Sequence, residues 1–479
     1  KPMKRWEFYW SYMADQRGDL PTSEQLWESW KSKQNLAGKD PNPVANWNTI
    51  GPTDVEVFTG NLPGTGRLNA VAVDPNNPNA WYVGAPAGGI WKSTNAGQTW
   101  RNLFDAFPQI GVSGIAIDPN NSNIIYITTG DDDAADSYSV GVFKSTDGGQ
   151  TWNETGLNPS NTNESSLMNE VVIDPTNSNI IWVGSSSGLF KSTDAGTNFD
   201  LVRSGYISDF KLKPGDPETV YAVANTHIGG RGNAAAFYKS SDGGDTFTPM
   251  EPDEQNKVLP AFAGRVVLGV TPANPEFLYL LAANRSNQNF TYQGLYVSED
   301  SGESFVESPN TTNIMESSQA WFDLALEVSP TNANEVFMGC LNIWKSTNKG
   351  DSWFKLNEWF INDEAYTHAD IHTLKFHNGK LFAGTDGGIY VSDNTGSTFT
   401  DFTNGMAIGQ FYKLSVSPKD ATKMIGGLQD NGGQILYQGN WNSYHGGDGM
   451  DNVIDPNNDN LVYGFTQFGG TLNISSDSG

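Results

Sequence analysis

Short apolar runs separated by polar turns recur along most of the chain. Each run alternates apolar with other residues and ends in an Asp-Pro or Ser-Pro turn, as in Val71-Ala-Val-Asp-Pro75, Ile115-Ala-Ile-Asp-Pro119, Val172-Ile-Asp-Pro175, Val328-Ser-Pro330 and Val453-Ile-Asp-Pro456. A strand with Tyr or Trp, a variable loop and another strand follow each turn. Since a period of two indicates a half-buried strand, the pattern predicts four-stranded units. Nine are visible, and their first strands begin near residues 67, 111, 167, 206, 264, 322, 370, 410 and 448.

A second motif lies between the third and fourth strand of these units. It reads Ser-x-Asp/Asn-x-Gly and is closed three residues later by Trp or Phe. Seven complete copies stand at intervals of 46 to 58 residues, and an eighth reaches Gly479; the copies begin at Ser93, Ser145, Ser192, Ser240, Ser298, Ser346, Ser392 and Ser475. The Asp or Asn side chain accepts backbone hydrogen bonds, Gly supplies a positive φ, and the aromatic ring packs beside the sheet. The motif therefore predicts a structural hairpin turn.

Repeated four-stranded sheets at this spacing predict an all-β propeller. The nine visible units leave the total open between a ten-bladed ring, two seven-bladed rings, and an array that continues past residue 479. The segment Trp47-Asn-Thr-Ile-Gly-Pro52 matches Trp152-Asn-Glu-Thr-Gly156, which follows a hairpin motif. We therefore expect the N-terminal segment to supply the outer strand of a last blade.

The first 46 residues have a different pattern, so we divide the chain into residues 1–46, a helical extension with a linker, and residues 47–479, the propeller. Aromatic residues between Arg5 and Gln16 stand at helical spacing. The stretch Thr22-Ser-Glu-Gln25 resembles a capping box before Trp27 and Trp30. These helices either pack on the propeller flank or dock a partner.

Charge and composition exclude several classes of function. The net charge of −26 would repel a phosphate backbone, which argues against nucleic-acid binding. The acidity serves solubility, Ca²⁺ loops or basic partners. The single cysteine, Cys340, excludes an intramolecular disulfide framework and lies in an apparent buried strand. No apolar run is long enough to insert in a membrane. The start at Lys1-Pro-Met fits a secreted or cell-surface protein whose signal peptide has been removed.

Blade topology places the candidate functional residues on one face. The Asp-Pro turns and the hairpin motifs share one face, here called the lower face. The loops between second and third strands share the other, the upper face, with the starts of the first strands. Counting back seven residues from each Asp-Pro equivalent places Arg67, Asp370, Gln410 and Asp448 at one blade position, as candidate ligand-binding or catalytic residues; the loops of blades seven and eight add Asp386 and Asp430.

Three interpretations of this group stay open. The first is a set of polar channel residues without chemistry. The second is a divalent-metal site in which His368 and His372 join nearby carboxylates. The third is a carboxylate pair for glycoside hydrolysis, drawn from Asp386, Asp430 and Asp448. The loop Gly130–Asp136 also bears Asp131, Asp132, Asp133 and Asp136, which indicates either a solvated loop or a Ca²⁺ site.

The hairpin motif, with Gly384-Thr-Asp-Gly-Gly388, Gly427-Leu-Gln-Asp-Asn-Gly432 and Gly446-Gly-Asp-Gly449, resembles the Asp-box propellers of the sortilin/Vps10-like and BNR-repeat type. Among these, the chain is most similar in appearance to large secreted Bacteroidetes-type proteins exported by type IX secretion. A more distant resemblance is to family 74 glycoside hydrolases, which place a catalytic Asp in a Thr-Asp-x-Gly-Gly loop of an early blade. Here that loop has Ala87, while Asp386 has the matching motif six blades later.

These observations lead to a first hypothesis of an extracellular scaffold that presents an acidic face to a glycan or protein partner. The alternative is a secreted glycoside hydrolase, a xyloglucanase-like endoglucanase with paired carboxylates on that face. A third hypothesis is a cargo protein or subunit of a bacterial surface assembly, docked through residues 1–46.

Overall fold

The structure is a computed structural model that describes residues 14–37, 48–54, 56–57, 62, 64–105, 107, 111–135, 137–160, 167–224, 235–250, 263–285 and 289–479. The helix predicted between Arg5 and Gln16 lies largely outside these residues, as do Trp47 and Asp136. No helix among the described residues combines the length and the apolar character that are needed to cross a membrane.

The described strands form nine sheets, as the repeat predicts. After β1 (Glu56–Val57), the first four blades comprise β2 (Ala70–Val73), β3 (Trp81–Ala85), β4 (Gly89–Ser93) and β5 (Arg101–Asn102); β6 (Val112–Ile117), β7 (Ile125–Thr129), β8 (Val142–Ser145) and β9 (Asn153–Glu154); β10 (Met168–Ile173), β11 (Ile181–Ser185), β12 (Gly188–Ser192) and β13 (Asp200–Ser204); β14 (Ile207–Lys213), β15 (Asp216–Ala224), β16 (Ala236–Ser240) and β17 (Thr248–Met250).

The remaining blades follow the same antiparallel order. They comprise β18 (Ala263–Val270), β19 (Leu278–Asn284), β20 (Tyr292–Ser298) and β21 (Val306–Glu307); β22 (Ala325–Val328), β23 (Val336–Gly339), β24 (Ile343–Ser346) and β25 (Phe354–Lys355); β26 (Ile371–His377), β27 (Lys380–Thr385), β28 (Gly388–Ser392) and β29 (Thr400–Asp401); β30 (Phe411–Val416), β31 (Met424–Leu428), β32 (Gly433–Tyr437) and β33 (Asn440–His445); and β34 (Gly449–Ile454), β35 (Val462–Thr466) and β36 (Leu472–Ser475).

Blades 1 to 7 close into a ring. Their first strands contact one another in chain order, and β26 of blade 7 contacts β2 of blade 1. The Leu68 amide donates to the Thr385 carbonyl at 3.0 Å, and the Trp100 indole donates to the Phe402 carbonyl at 2.7 Å. Closure at seven excludes one ring of all nine units. Blades 8 and 9 instead pack on each other through Ile425, Ile435, Ile454 and Val462.

The recurrent hairpin turn has the predicted hydrogen bonds. In blade 2, Ser145 Oγ accepts the Gly149 amide at 2.8 Å and donates to Asp147 Oδ1 at 2.8 Å. Asp147 Oδ1 also accepts the Thr151 amide at 2.8 Å, and Gly149 has a φ of 89°. The Gly148 amide donates to the Asn123 carbonyl of the preceding turn. The two turn types therefore share the lower face.

The N-terminal region packs on the propeller at two places. Helix α1 (Ser23–Ala37) begins at the predicted capping box, where Thr22 and Gln25 exchange backbone-to-side-chain hydrogen bonds of 2.9 and 3.0 Å. Trp27 is 2% exposed and packs on Phe143 of blade 2. Strand β1 pairs in parallel with β33 as a fifth strand of blade 8. The outer strand predicted at residues 47–52 is not found there, because residues 48–52 form no strand and blade 8 is followed by a ninth.

Candidate functional site

The structure brings four predicted aspartates together on the upper face. Asp370 precedes β26 and Asp386 follows β27, while Asp430 and Asp448 occupy the corresponding positions in blades 8 and 9. Oxygens of Asp370, Asp386 and Asp430 all lie within 4.8 Å of one another, and these three residues are called the carboxylate triad below. Asp448 Oδ1 accepts the Asp430 amide at 2.9 Å.

His372 lies between two carboxylates and is fully buried. Its Nδ1 is 2.8 Å from Asp133 Oδ2, and its Nε2 is 2.8 Å from Asp386 Oδ1. Burial disfavours the imidazolium, but the charge of Asp386 and the hydrogen bond and charge of Asp133 outweigh it and raise the pKa of His372 to about 9. Both ring nitrogens are occupied, so this geometry leaves neither of them for the predicted metal ion.

The acidic loop of blade 2 contributes two buried aspartates, Asp131 and Asp133, to the upper face. Asp131 accepts a hydrogen bond from Arg67 Nη2 at 2.5 Å, and both side chains are almost fully inaccessible. Asp133 forms an ion pair with Arg265 at 3.0 Å. Asp131 and Asp133 thus pair with cationic side chains from other blades, because the loop reaches Arg67, Arg265 and His372.

The pKa values of two neighbouring carboxyl groups in this loop are shifted in opposite directions. Burial and the nearby charge of Asp133 raise the pKa of Asp132 to about 7. Burial also acts on Asp133, but the His372 hydrogen bond and charge prevail and lower the pKa of Asp133 to about 2. Asp132 accepts a hydrogen bond from Tyr206 at 3.2 Å.

The remaining predicted site residues lie next to the aspartates or are buried below the surface. The carbonyl of Gln410 accepts the amide of Gln429, whose side chain donates to Asp386 Oδ2 at 2.9 Å. His368 Nδ1 is 3.2 Å from the Ala369 carbonyl and 3.8 Å from Asp430 Oδ2. Burial lowers the pKa of His368. Arg67 packs on the ring of Phe322 at 5.1 Å and is inaccessible to a ligand on the surface.

Sequence reasoning missed two central groups of blade 6. Counting back seven residues from Ser329 gives Phe322, which contacts both Arg67 and His372. The next residue, Asp323, is fully buried, and burial raises its pKa to about 7. The carboxylate therefore lies one residue after the position that the count selects. Gln319 Nε2 joins Asp323 to Asp370, at 3.3 and 2.6 Å.

Asp430 and Asp448 are the aspartates of blades 7 to 9 that reach solvent in this group. The Asp430 side chain is 27% exposed and Asp448 is half-buried, whereas Asp370 and Asp386 are buried. Burial and then the charges of Asp386 and Asp448 raise the pKa of Asp430 well above its usual range. Exposed aromatic side chains lie in upper-face loops: Trp321, Trp359, Phe360 and Phe468.

Comparisons with known proteins find relatives that are named xyloglucanases. No protein-family model matches the chain. The chain is 25% identical over 360 residues to the xyloglucanase Xgh74A of Acetivibrio thermocellus, covering 64% of this chain and 40% of that protein. It is also 25% identical over 227 residues to a xyloglucanase of Paenibacillus sp, covering 41% and 22% of the two chains. The chain thus spans less than half the length of these relatives.

Solved structures with this fold include two enzymes of the same class. The GH74 enzyme of Niastella koreensis superposes with a TM-score of 0.62 and 21% identity, covering 88% of this chain and 66% of that one. The GH74 xyloglucanase of Xanthomonas campestris gives 0.63 and 16%, covering 88% and 68%. PorZ, a type IX secretion component of Porphyromonas gingivalis, gives 0.50 and 13%, covering 87% and 52%. These likenesses confirm the multi-bladed propeller.

Proposed function

We propose that this protein is a glycoside hydrolase that acts outside the cell on a polysaccharide bound across its upper face. The relatives named xyloglucanase make xyloglucan the first substrate to test. This choice replaces the scaffold hypothesis, which has no comparable support among the relatives.

The observation that carries the proposal is the pair of solvent-reaching carboxylates from blades 8 and 9. Asp448 Oδ1 accepts the Asp430 amide, and the charge of Asp448 helps to raise the pKa of Asp430. Glycoside hydrolysis requires two carboxyl groups: one protonates the leaving oxygen, and the other activates water or attacks the sugar. Ala87 lacks a carboxylate, so blade 1 cannot supply either role at that loop position.

The surroundings of the pair suit a sugar chain. Exposed Phe468 follows Gln467, whose side-chain oxygen accepts the Asp448 amide at 3.0 Å. Trp321 lies next to Phe322, and its carbonyl accepts a hydrogen bond from Arg265 at 3.0 Å. An exposed aromatic ring can stack on the apolar face of a sugar, while neighbouring polar groups bind its hydroxyls. The upper face therefore offers one stacking surface, Phe468, beside the carboxylate pair and a second, Trp321, beside Arg265.

The proposal is tested by incubating the protein with xyloglucan, other β-glucans and an α-glucan, and by measuring new reducing ends and product lengths. We expect release of oligosaccharides from xyloglucan and none from the α-glucan. Affinity for xyloglucan without product, at any pH between 4 and 9, would contradict hydrolysis and restore a binding role.

A further inference from the structure

The loop that joins β35 to β36 is a tight turn with an aromatic residue in an unusual backbone conformation. The Gly470 amide donates to the Gln467 carbonyl at 3.1 Å, so Phe468 and Gly469 are the two central residues of the turn. Both are left-handed, with φ values of 62° and 65°. Turns with two left-handed central residues favour Asn, Asp or Gly at the first position, because a bulky side chain is strained there. Phe468 departs from this rule.

The same kind of turn occurs at two other places in the chain. Asn378-Gly379 joins β26 to β27, and Gln438-Gly439 joins β32 to β33. Their first residues have φ values of 50° and 53°. Both turns lie on the lower face, whereas the turn of Phe468 lies on the upper face. The turn geometry therefore accepts the favoured Asn elsewhere in this chain and does not by itself require an aromatic ring.

Packing within the protein does not account for the ring of Phe468 either. The residue is 85% exposed, the largest exposed fraction of any large apolar side chain in the described part of the chain. An apolar ring that stays in water gains no stability from burial, and the left-handed backbone is an additional cost. Backbone strain of this kind concentrates at sites that bind ligands. Exposure and strain thus point independently to a ligand that covers this ring.

Hydrogen bonds fix the turn beside the candidate carboxylate pair. Gln467 Oε1 accepts the Asp448 amide at 3.0 Å. At the base of the turn, the Thr466 amide donates to the Thr471 carbonyl at 3.1 Å, and the Thr471 amide donates to Thr466 Oγ1 at 3.0 Å. The turn that carries Phe468 is therefore held next to the backbone of Asp448.

We propose that Phe468 is a substrate-binding residue whose ring stacks on a pyranose ring of a β-linked glucan beside Asp430 and Asp448. This inference rests on the proposed function, since that function places a polysaccharide on the upper face. The equatorial substituents of a β-linked glucose ring leave its two faces as flat C–H surfaces, which an aromatic face can cover. Stacking would remove the exposed ring from water and offset the strain of its backbone.

The test measures affinity and cleavage separately. Calorimetric titration with short xyloglucan oligosaccharides should give a Kd about tenfold weaker for Phe468→Ala than for the wild type. Phe468→Tyr should keep the wild-type Kd, because Tyr retains the ring. On polymeric xyloglucan, Phe468→Ala should raise KM by a similar factor and leave kcat within about twofold, the pattern of a lost binding contact away from the reacting atoms.

Phe468→Gly separates strain from stacking, and Gln438→Gly is its matched control. Gln438 is also exposed, has the same backbone conformation and lies on the opposite face. Both Gly variants should raise the Tm by about 1–2 °C, because Gly adopts the left-handed conformation without strain. Only Phe468→Gly should also weaken the binding of the oligosaccharides.

The outcomes for this inference and for hydrolysis can be told apart. Equal affinity of the wild type and Phe468→Ala, or no affinity of the wild type for the oligosaccharides, would overturn the inference even if the polymer is cleaved. A Phe468→Gly variant with a lower Tm would also overturn it, because the ring would then stabilise the fold. Affinity that depends on the ring, without any product, would support the inference and contradict hydrolysis.

Discussion

Aspartates on the two faces of the ring are stabilised by different means. On the lower face, Asp147 lies in an exposed turn and is satisfied by nearby hydroxyl and amide groups within four residues of it. On the upper face, Asp133 lies among Arg265 and His372, which are far away in the chain. Local hydrogen bonds allow the lower-face turn to recur from blade to blade. The buried ion pairs of the upper face, called the upper cluster below, form only when the ring closes. The comparison separates aspartates held by their own turn from aspartates held by contacts across the ring.

The largest expected effect comes from breaking the upper cluster. Arg67→Met should lower the free energy of unfolding by about 3–5 kcal/mol, because Asp131 would stay buried without its guanidinium partner. Denaturant unfolding measures this loss. A loss below about 1 kcal/mol, within the range typical of exposed ion pairs, would show that the cluster does not depend on pairing with Arg67.

A smaller effect is expected on the lower face. Asp147→Ala should lower the denaturant midpoint of unfolding, because it removes the acceptor of the Thr151 amide and hydroxyl. Asp147→Asn should keep the wild-type midpoint, since Asn95, Asn348 and Asn394 accept the same backbone hydrogen bond in other blades. Equal losses in both variants, by the same unfolding measurement, would contradict a role based on hydrogen bonding.

The smallest expected effect is a loss of stability at low pH. Side-chain and backbone hydrogen bonds from Thr151 lower the pKa of Asp147 to about 2, and those from Thr246 do the same for Asp242. A folded-state pKa below the unfolded value means that the contribution to stability is present above about pH 4 and is lost as pH falls through about 2. Carboxyl NMR titration should give midpoints near 2. Midpoints near 3.8 would refute these turn bonds.

The local part of the fold could be predicted from the sequence. Gly149 and Asp147 specify their turn through neighbours within a few residues, and the alternation around Val71 and Ile115 specifies strands. Closure at seven blades could not be predicted, because it depends on contacts such as Leu68 with Thr385 across the ring.

The residues of the candidate site could likewise be predicted only in part. Blade position identified Asp370, Asp386, Asp430 and Asp448, since equivalent positions converge in a repeat. The state of His372 was not predictable, because its partner Asp133 comes from a loop 239 residues away. Asp323 was missed because blade 6 places its carboxylate one residue beyond the counted position.

The most direct test of the hydrolase proposal compares xyloglucan cleavage by the wild type, Asp448→Asn and Asp242→Asn. The wild type and the lower-face variant should release reducing ends at equal rates, and Asp448→Asn should be slower by about 10²–10⁴-fold, the usual contribution of a general acid or base. Equal rates in all three proteins would contradict catalysis by the carboxylates of the upper face.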